Sequence, residues 1–174
     1  MTRIILLFGA LSGAITIGTM TLGMVFGGES GGSEFVGYLI MLVALSLIFV
    51  GVKRYRDVEQ GGVIRFWKAL QVGLGIAVVA GVVYVVGWEL FLWQTDYAFF
   101  EEYSAAQLAA REAAGATAAE LEALKQEMAD AAVMYANPVY RMPITFTEIF
   151  PVGALVSLVS AALLRNAKLL PANA

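Results

Sequence analysis

The chain has 174 residues, of which 60% are hydrophobic and 14% are charged. A soluble domain normally carries about a quarter charged residues, so this composition excludes an ordinary water-soluble protein and indicates a membrane protein. The chain contains neither Cys nor His, which excludes disulfides, thiolate chemistry and histidine as a general base or metal ligand. The formal net charge is −3, and no basic patch exceeds a short loop. We therefore expect no nucleic-acid partner.

Four apolar segments are long enough to cross a bilayer of ~30 Å hydrocarbon thickness. They cover about residues 4–26, 35–52, 67–93 and 149–164. Only helices and closed barrels satisfy every backbone group in lipid, and the absence of a period-two alternation excludes a barrel. The sequence thus predicts an all-α polytopic membrane protein with four transmembrane helices. We interpret the first segment as a retained span because it exceeds the ~7–15 apolar residues of a signal peptide, with cleavage after its C-terminal glycines as the alternative.

The basic residues predict the orientation of these spans. Eight of the eleven Lys and Arg residues fall on one side of the predicted membrane: Arg3, Lys53, Arg54, Arg56, Arg65, Lys68, Arg165 and Lys168. Because Lys and Arg concentrate in cytoplasmic loops, this side is predicted to be cytoplasmic. Both termini then lie in the cytoplasm, which agrees with an even number of spans, since that places both termini on one side.

Residues 94–146 form a predicted extracytoplasmic helical insert between spans three and four. Ser104 with Gln107, and Thr117 with Glu120, match the capping box that begins a helix. The segment "AAGAT" (113–117) separates two predicted helices, and Asn137–Pro138 ends the second. An apolar stripe runs along that second helix: Leu121, Leu124, Met128, Ala131 and Tyr135. This hairpin either packs on the outer ends of the spans or offers a docking face to a partner.

An ionisable residue, Glu89, lies inside the apolar run "YVVGWELFLW" (84–93) of span three. Its level near the outer boundary predicts an outer polar cluster with the residues at the neighbouring helix ends: Glu34, Tyr38, Tyr84, Trp88, Glu89, Arg141 and Glu148. Intramembrane ionisable groups usually pair inside the bundle. Glu89 is then either a structural partner of Arg141 or the Tyr hydroxyls, or part of a cation or proton site with two other carboxylates. We also expect a capping box of Thr145 and Glu148 to begin span four, with Pro151 early in that helix.

The loop "VKRYRDVEQGGVIRFWKA" (52–69) is the densest charge cluster in the chain. Its candidate contacts with lipid headgroups or a partner are Lys53, Arg54, Arg56, Asp57 and Arg65. The simpler interpretation is that these residues hold the loop in the cytoplasm. The alternative is recognition of an anionic lipid or a phosphate-bearing ligand.

Small residues recur at four-residue spacing in three spans, as in Gly9 and Gly13 of span one. Span three carries Gly73, Ala77 and Gly81, and span four carries Gly153, Ser157 and Ala161. Such stripes let helix backbones approach closely in lipid. They either pack the bundle internally or face another subunit.

Several motifs in the same order resemble an uncharacterised family of small bacterial membrane proteins, known only as a domain of unknown function. They are "GYLIMLVALSLIFVGVKRYRD", "GGVIRFWKALQVGLGIA", "YVVGWE", "GATAAELEALKQEM" and "YANPVYRMPITFTEIFPVGALVSLVSAALLR". The resemblance covers nearly the whole chain and implies four spans, an outer helical segment and a bacterial inner membrane location. It implies no activity. The residues that match its motifs include Tyr38, Lys53, Arg56, Asp57, Gly62, Trp88, Glu89, Asn137, Pro138, Arg141, Glu148 and Pro151.

Three functions are compatible with this composition. We expect a non-enzymatic accessory or interaction subunit of a membrane complex, in contact with the lipid bilayer and with other subunits or a second copy of itself. The alternative is a transporter of ions, protons or small molecules that uses the outer carboxylates. A lipid-modifying enzyme is the third candidate, and it would depend on Glu, Asp, Lys or Tyr, or on a metal held by the carboxylates of Glu34, Glu89 and Glu148. We expect no catalytic residues, metal or cofactor.

Overall fold

The computed structural model describes residues 1–26 and 34–171, with Phe26 and Glu34 described by their backbone alone. The helices are α1 (Thr2–Phe26), α2 (Glu34–Leu45), α3 (Leu47–Glu59), α4 (Phe66–Gln94), α5 (Phe99–Ala113), α6 (Ala118–Ala136) and α7 (Pro138–Leu164). No strand occurs within these ranges. The prediction of an all-α fold is therefore confirmed.

Four apolar helical segments are long enough to span a membrane, as predicted. They are Thr2–Val25, Phe35–Glu59, Phe66–Gln94 and Pro138–Leu164. A single residue, Ser46, separates α2 from α3 within the second segment, and its hydroxyl donates to the carbonyl of Val43 at 2.6 Å. Hydroxyls that bond back to the preceding turn often bend helices.

The helix that holds the fourth apolar segment begins at Pro138, so the prediction that a capping box of Thr145 and Glu148 begins it is wrong. Asn137 ends α6, and its side-chain oxygen accepts from the backbone N–H of Val139 at 3.0 Å, which caps the start of α7. Proline fits the first helical position because its missing N–H has no intrahelical acceptor there. A capped start thus lies well before the predicted one, and α7 runs through Thr145 and Glu148 without a break.

Two further sequence expectations about helix ends are also wrong. Pro151 lies well inside α7 rather than early in it. Ser104 lies inside α5, where its hydroxyl donates to the carbonyl of Phe100 at 2.7 Å, so it does not cap a helix. The capping box of Thr117 and Glu120 at the start of α6 is confirmed in full.

The chain divides into two compact units, one formed by Met1–Trp88 with Phe146–Ala174 and the other by Glu89–Thr145. In the first unit, glycines bring helices together. A Cβ added at Gly9 of α1 would lie 2.5 Å from the Cβ of Val79 in α4, closer than real Cβ atoms approach. A Cβ at Gly73 would lie 2.8 Å from the Cβ of Ser157 in α7. These stripes therefore pack the bundle internally, which decides between the two interpretations given above.

The outward faces of α1 and α7 in the first unit carry many apolar side chains. Exposed aliphatic side chains on α1 include Leu6, Leu11, Ile15 and Leu22, and those on α7 include Leu155, Leu158, Val159 and Leu163. Such continuous apolar surface is typical of helices that face lipid.

In the second unit, α5 and α6 lie side by side. Phe100, near the start of α5, stacks on Tyr135, near the end of α6, with 5.0 Å between ring centroids. The two helices therefore run in opposite directions. Gly115 in the connecting turn has a φ of +85°, a backbone conformation that glycine adopts without steric cost.

Candidate functional site

Glu89 and Arg141 form a two-point ion pair within the second unit, in which Arg141 is buried and Glu89 is half-buried. The Arg141 Nε–H donates to Glu89 Oε1 at 2.7 Å, and Nη2 donates to Oε2 at 2.5 Å. The side chain of Arg141 is 4% exposed and that of Glu89 is 18% exposed. Bidentate arginine–carboxylate pairs combine strong hydrogen bonds with fixed geometry. Glu89 is thus held by the guanidinium, and its charge is neutralised.

Arg141 also closes the C-terminal end of α6. Its Nη1 donates to the carbonyl oxygen of Tyr135 at 2.8 Å and to that of Ala136 at 3.5 Å. The last carbonyls of a helix lack intrahelical donors and carry the negative end of the helix dipole, so a cation is favourable there. One guanidinium therefore joins α4 to the end of α6.

Two tyrosine rings surround the same guanidinium. The Arg141 Cζ lies 5.3 Å from the ring centroid of Tyr97 and 5.6 Å from that of Tyr135, within the range of cation–π attraction. Tyr97 follows the end of α4 with a φ of +60°, and Asp96 before it has a φ of +50°. Left-handed conformations cost roughly 1–2 kcal/mol for residues with a Cβ. This left-handed turn determines the direction of the backbone after α4, at Tyr97.

The first unit holds a second pair, Tyr84 with Glu148. The Tyr84 hydroxyl lies 3.3 Å from Glu148 Oε2 and 3.5 Å from the sulfur of Met20. Tyr84 is buried, whereas Glu148 lies at the protein surface of a membrane-spanning helix. The carboxyl group of Glu148 therefore faces a different environment from that of Glu89.

The remaining members of the predicted outer cluster are Tyr38, Trp88 and Glu34. Tyr38 is exposed, and Trp88 is buried in the first unit. The side chain of Glu34 lies outside the described residues. Within the part of the chain that the structure describes, no group of three or more Asp and Glu residues is arranged to hold a metal ion.

On the side predicted to be cytoplasmic, Arg56 is fully buried. Its Nε–H donates to Asp57 at 2.7 Å, and its terminal nitrogens donate to the carbonyl of Leu169, at 2.9 Å, and to that of Leu170. Lys53 binds the other oxygen of Asp57 at 2.5 Å. Arg56 thus anchors the C-terminal turn instead of reaching a headgroup.

Two other basic residues of this loop, Arg54 and Arg65, are exposed. They remain the candidates for headgroup or partner contact. The sequence places Arg56 next to Asp57, so their ion pair is predictable. The carbonyl acceptors of Arg56 lie more than a hundred residues further along the sequence, so no local pattern indicates them.

A cavity of about 590 Å³ lies between α5 and α6 within the second unit. We call it the hairpin groove and define it by six of its lining residues: Tyr97, Phe100, Leu108, Met128, Tyr135 and Arg141. The predicted apolar stripe of α6 contributes Met128 and Tyr135 to this groove, so part of the stripe faces α5. The stripe is visible in the sequence but the groove is not, because the groove depends on how the two helices pair.

Comparison with known proteins places the chain in a family. The family described as "Protein of unknown function (DUF4199)" matches residues 6–166. The chain belongs to the DUF4199 family. This confirms the resemblance to a domain of unknown function that the sequence motifs indicate. No curated protein and no solved structure matches the chain.

The match covers most of what is described above. In this DUF4199 protein it includes Arg56, the Glu89–Arg141 ion pair and the whole hairpin groove. The carbonyl acceptors of Arg56, on Leu169 and Leu170, lie just beyond its end. The family description names no activity.

Proposed function

We propose that this DUF4199 protein is a non-enzymatic subunit of the bacterial inner membrane that acts by binding another membrane protein through its α5–α6 hairpin. One observation carries the proposal: neither α5 nor α6 contains a fully buried residue. Helices of this length depend on packing of an apolar face for most of their stability. A hairpin that has no buried core of its own is well suited to bury its apolar side chains against a partner.

The exposed face of the hairpin has the chemistry of a protein contact. Val133 is 77% exposed, Met134 is 49% exposed and Tyr103 is 40% exposed. Aromatic residues and methionine are enriched where protein surfaces meet. The Glu89–Arg141 ion pair supports the same proposal, because it engages Glu89 internally and ties the hairpin to a spanning helix rather than leaving an open carboxylate.

Affinity purification from native membranes in a mild detergent, followed by mass spectrometry, tests this proposal. We expect a second protein at constant stoichiometry, or a particle mass of two or more copies. Val133→Glu places a charge on the exposed face and should reduce co-purification. Ala119→Glu, an exposed position near the other end of α6, is the matched control and should not. A lone monomer of unchanged mass in every preparation would refute the proposal.

The proposed orientation, with both termini cytoplasmic, is supported by the eight basic residues on one side. Because the chain has no Cys, single cysteines can be introduced and labelled with a membrane-impermeant maleimide. Ala114→Cys in the hairpin turn should react in intact spheroplasts, whereas Gln60→Cys in the loop after α3 should react only after lysis. The reverse pattern would invert the topology.

Glu148 favours a second candidate function, transport of protons or cations. It is a carboxyl group on a spanning helix whose hydrogen-bond partner is a tyrosine hydroxyl rather than a cation. Acidic residues within spanning segments often mark ion pathways. Flux into liposomes that is lost in Glu148→Gln and kept in Glu101→Gln, an exposed hairpin position, would support transport. Absence of flux in the unmodified protein would exclude this alternative.

A further inference from the structure

The hairpin groove has the size and the lining of a ligand site. Its volume of about 590 Å³ falls within the roughly 300–1,000 Å³ of small-molecule sites. Phe100, Leu108 and Met128 provide apolar surface, and three alanines on α6 leave the space open. The side chains that line it are aromatic, aliphatic or thioether groups over most of its wall. Such a lining binds hydrocarbon rather than a polar solute.

The charges around the groove cancel. Arg141 is neutralised by Glu89, and its polar atoms are directed to that carboxylate and to the end of α6. Lys125 and Glu101 carry opposite charges on the two helices that form the walls. A lining without net charge provides no basis for selecting an ion, so the expected occupant is uncharged where it enters the groove.

The position of the groove along the chain indicates the source of the hydrocarbon. Tyr97 follows shortly after the end of α4, and Arg141 lies in the first turns of α7. Both helices are membrane-spanning segments. The aromatic end of the groove is therefore close along the chain to two membrane crossings, where lipid acyl chains are the most abundant apolar molecules.

A second cavity, of about 500 Å³, provides an internal contrast. It lies at the other end of the hairpin, around the turn, and its lining includes Arg111, Glu120 and Glu127. The hairpin groove is thus the more apolar of the two cavities, and it contains Tyr97 and Arg141, which lie closest along the chain to α4 and α7. We propose that the hairpin groove binds one acyl chain of a membrane phospholipid. This site is independent of any protein partner, because its walls belong to this chain alone.

Photo-crosslinking of the full chain tests the proposal. The protein is reconstituted in nanodiscs of phosphatidylcholine that carries a diazirine in one acyl chain, irradiated, digested and analysed by mass spectrometry. We expect adducts on the groove residues Phe100, Leu108 and Met128, together with adducts on the lipid-facing residues of α7. The α7 adducts serve as an internal control for reconstitution and for the yield of the reaction.

Two groove-filling variants and one control make the test specific. Ala132→Trp places an indole in the groove from α6, and Ser104→Leu fills it from α5. Filling the groove should reduce the groove adducts at least about tenfold, because the acyl chain and the new side chain compete for the same volume. The α7 adducts should stay unchanged. Val133→Trp puts the same indole on the neighbouring exposed position outside the groove and should leave the groove adducts intact.

Three outcomes would overturn the proposal: no groove adducts in the unmodified protein while α7 is labelled, groove adducts that persist in both filling variants, or an equal loss in Val133→Trp. Thermal melting of each variant establishes that it is folded. If Ala132→Trp does not fold, Ser104→Leu decides the result.

Discussion

Removing the acceptor of Arg141 is the most direct test of what Glu89 does. Glu89→Leu deletes both carboxylate oxygens that accept from Nε and Nη2, at a guanidinium whose side chain is 4% exposed. Breaking a buried ion pair from one side costs about 3–5 kcal/mol, because it leaves an uncompensated charge. For a chain of this size each kcal/mol lowers the melting temperature by roughly 2–4 °C. We therefore expect Glu89→Leu to lower it by roughly 6–20 °C.

Glu89→Gln also removes the negative charge, but it should be milder because one acceptor for the guanidinium remains. The glutamine carbonyl still accepts one bond, and the guanidinium keeps the carbonyls of Tyr135 and Ala136 and the faces of two tyrosine rings. Exchanging a charge-assisted hydrogen bond for a neutral one costs about 1 kcal/mol. The melting temperature should fall by only roughly 2–4 °C.

The double variant Glu89→Leu/Arg141→Leu is the control for a lost charge partner. Replacing both members of a buried ion pair by apolar residues is often close to neutral, so the double variant should recover part of the loss seen in Glu89→Leu. The rest of the loss should persist, because the carbonyls of Tyr135 and Ala136 also lose their donor. Melting of the detergent-solubilised protein can be followed by tryptophan fluorescence, since Trp88 and Trp93 flank Glu89. If Glu89→Leu and Glu89→Gln both melted like the unmodified protein, a structural role for this pair would be wrong.

Three other predictions concern separate parts of the molecule. Gly9→Ala should lower the free energy of unfolding by about 1–3 kcal/mol, because its new Cβ would lie 2.5 Å from the Cβ of Val79. Gly18→Ala on the same helix is the control, because a Cβ there would have no atom within 4 Å. Equal melting temperatures of the two variants would contradict the packing of α1 on α4. Arg56→Leu should release the C-terminal turn that the Arg56 guanidinium holds, and trypsin should then cleave faster at Arg165 and Lys168. Arg54 is exposed, so Arg54→Leu should leave the cleavage rate unchanged. An unchanged rate in Arg56→Leu would show that the turn is held by other contacts. The backbone N–H and hydroxyl of Thr117 hold the pKa of Glu120 below its usual value. The start of α6 is therefore stabilised at pH values above the ordinary glutamate pKa of about 4.3. This stabilisation is lost as the pH falls through the lower pKa of the folded state. Hydrogen exchange of the first amides of α6 should accelerate over that acidic range, relative to intrinsic rates, in the unmodified protein and show no such change in Glu120→Gln; identical profiles would refute it.

Hydropathy made the spans predictable because a membrane-crossing helix needs a long uncharged run whatever its neighbours are. Helix ends were less predictable, because a capping pattern is only two residues long. The capping box at Thr117 begins a helix because the left-handed turn at Gly115 interrupts the helical conformation just before it. The matching pattern at Thr145 lies inside a helix that has already begun at Pro138. Local patterns decide a helix start only where nothing upstream has begun the helix.

The candidate site was predictable in its members but not in its pairing. Glu89 and Arg141 both belong to the predicted outer cluster, and their ion pair was one of two interpretations of Glu89. The choice depends on where α6 ends, because Arg141 is held by those carbonyls as well as by Glu89. The acceptors of Arg56 were not predictable, since they lie at the far end of the chain.

The close fit of α1 against α4 has a consequence for the order in which the protein is made. Gly9 and Val79, which approach too closely for any larger residue at position 9, are separated by 70 residues of chain. At a synthesis rate of ~5–20 residues per second, the first helix waits roughly 4–14 s in the membrane before its partner has been translated. During that interval its glycine surface is covered by lipid or by the insertion machinery. Translation that stops before α4 would leave α1 without this contact.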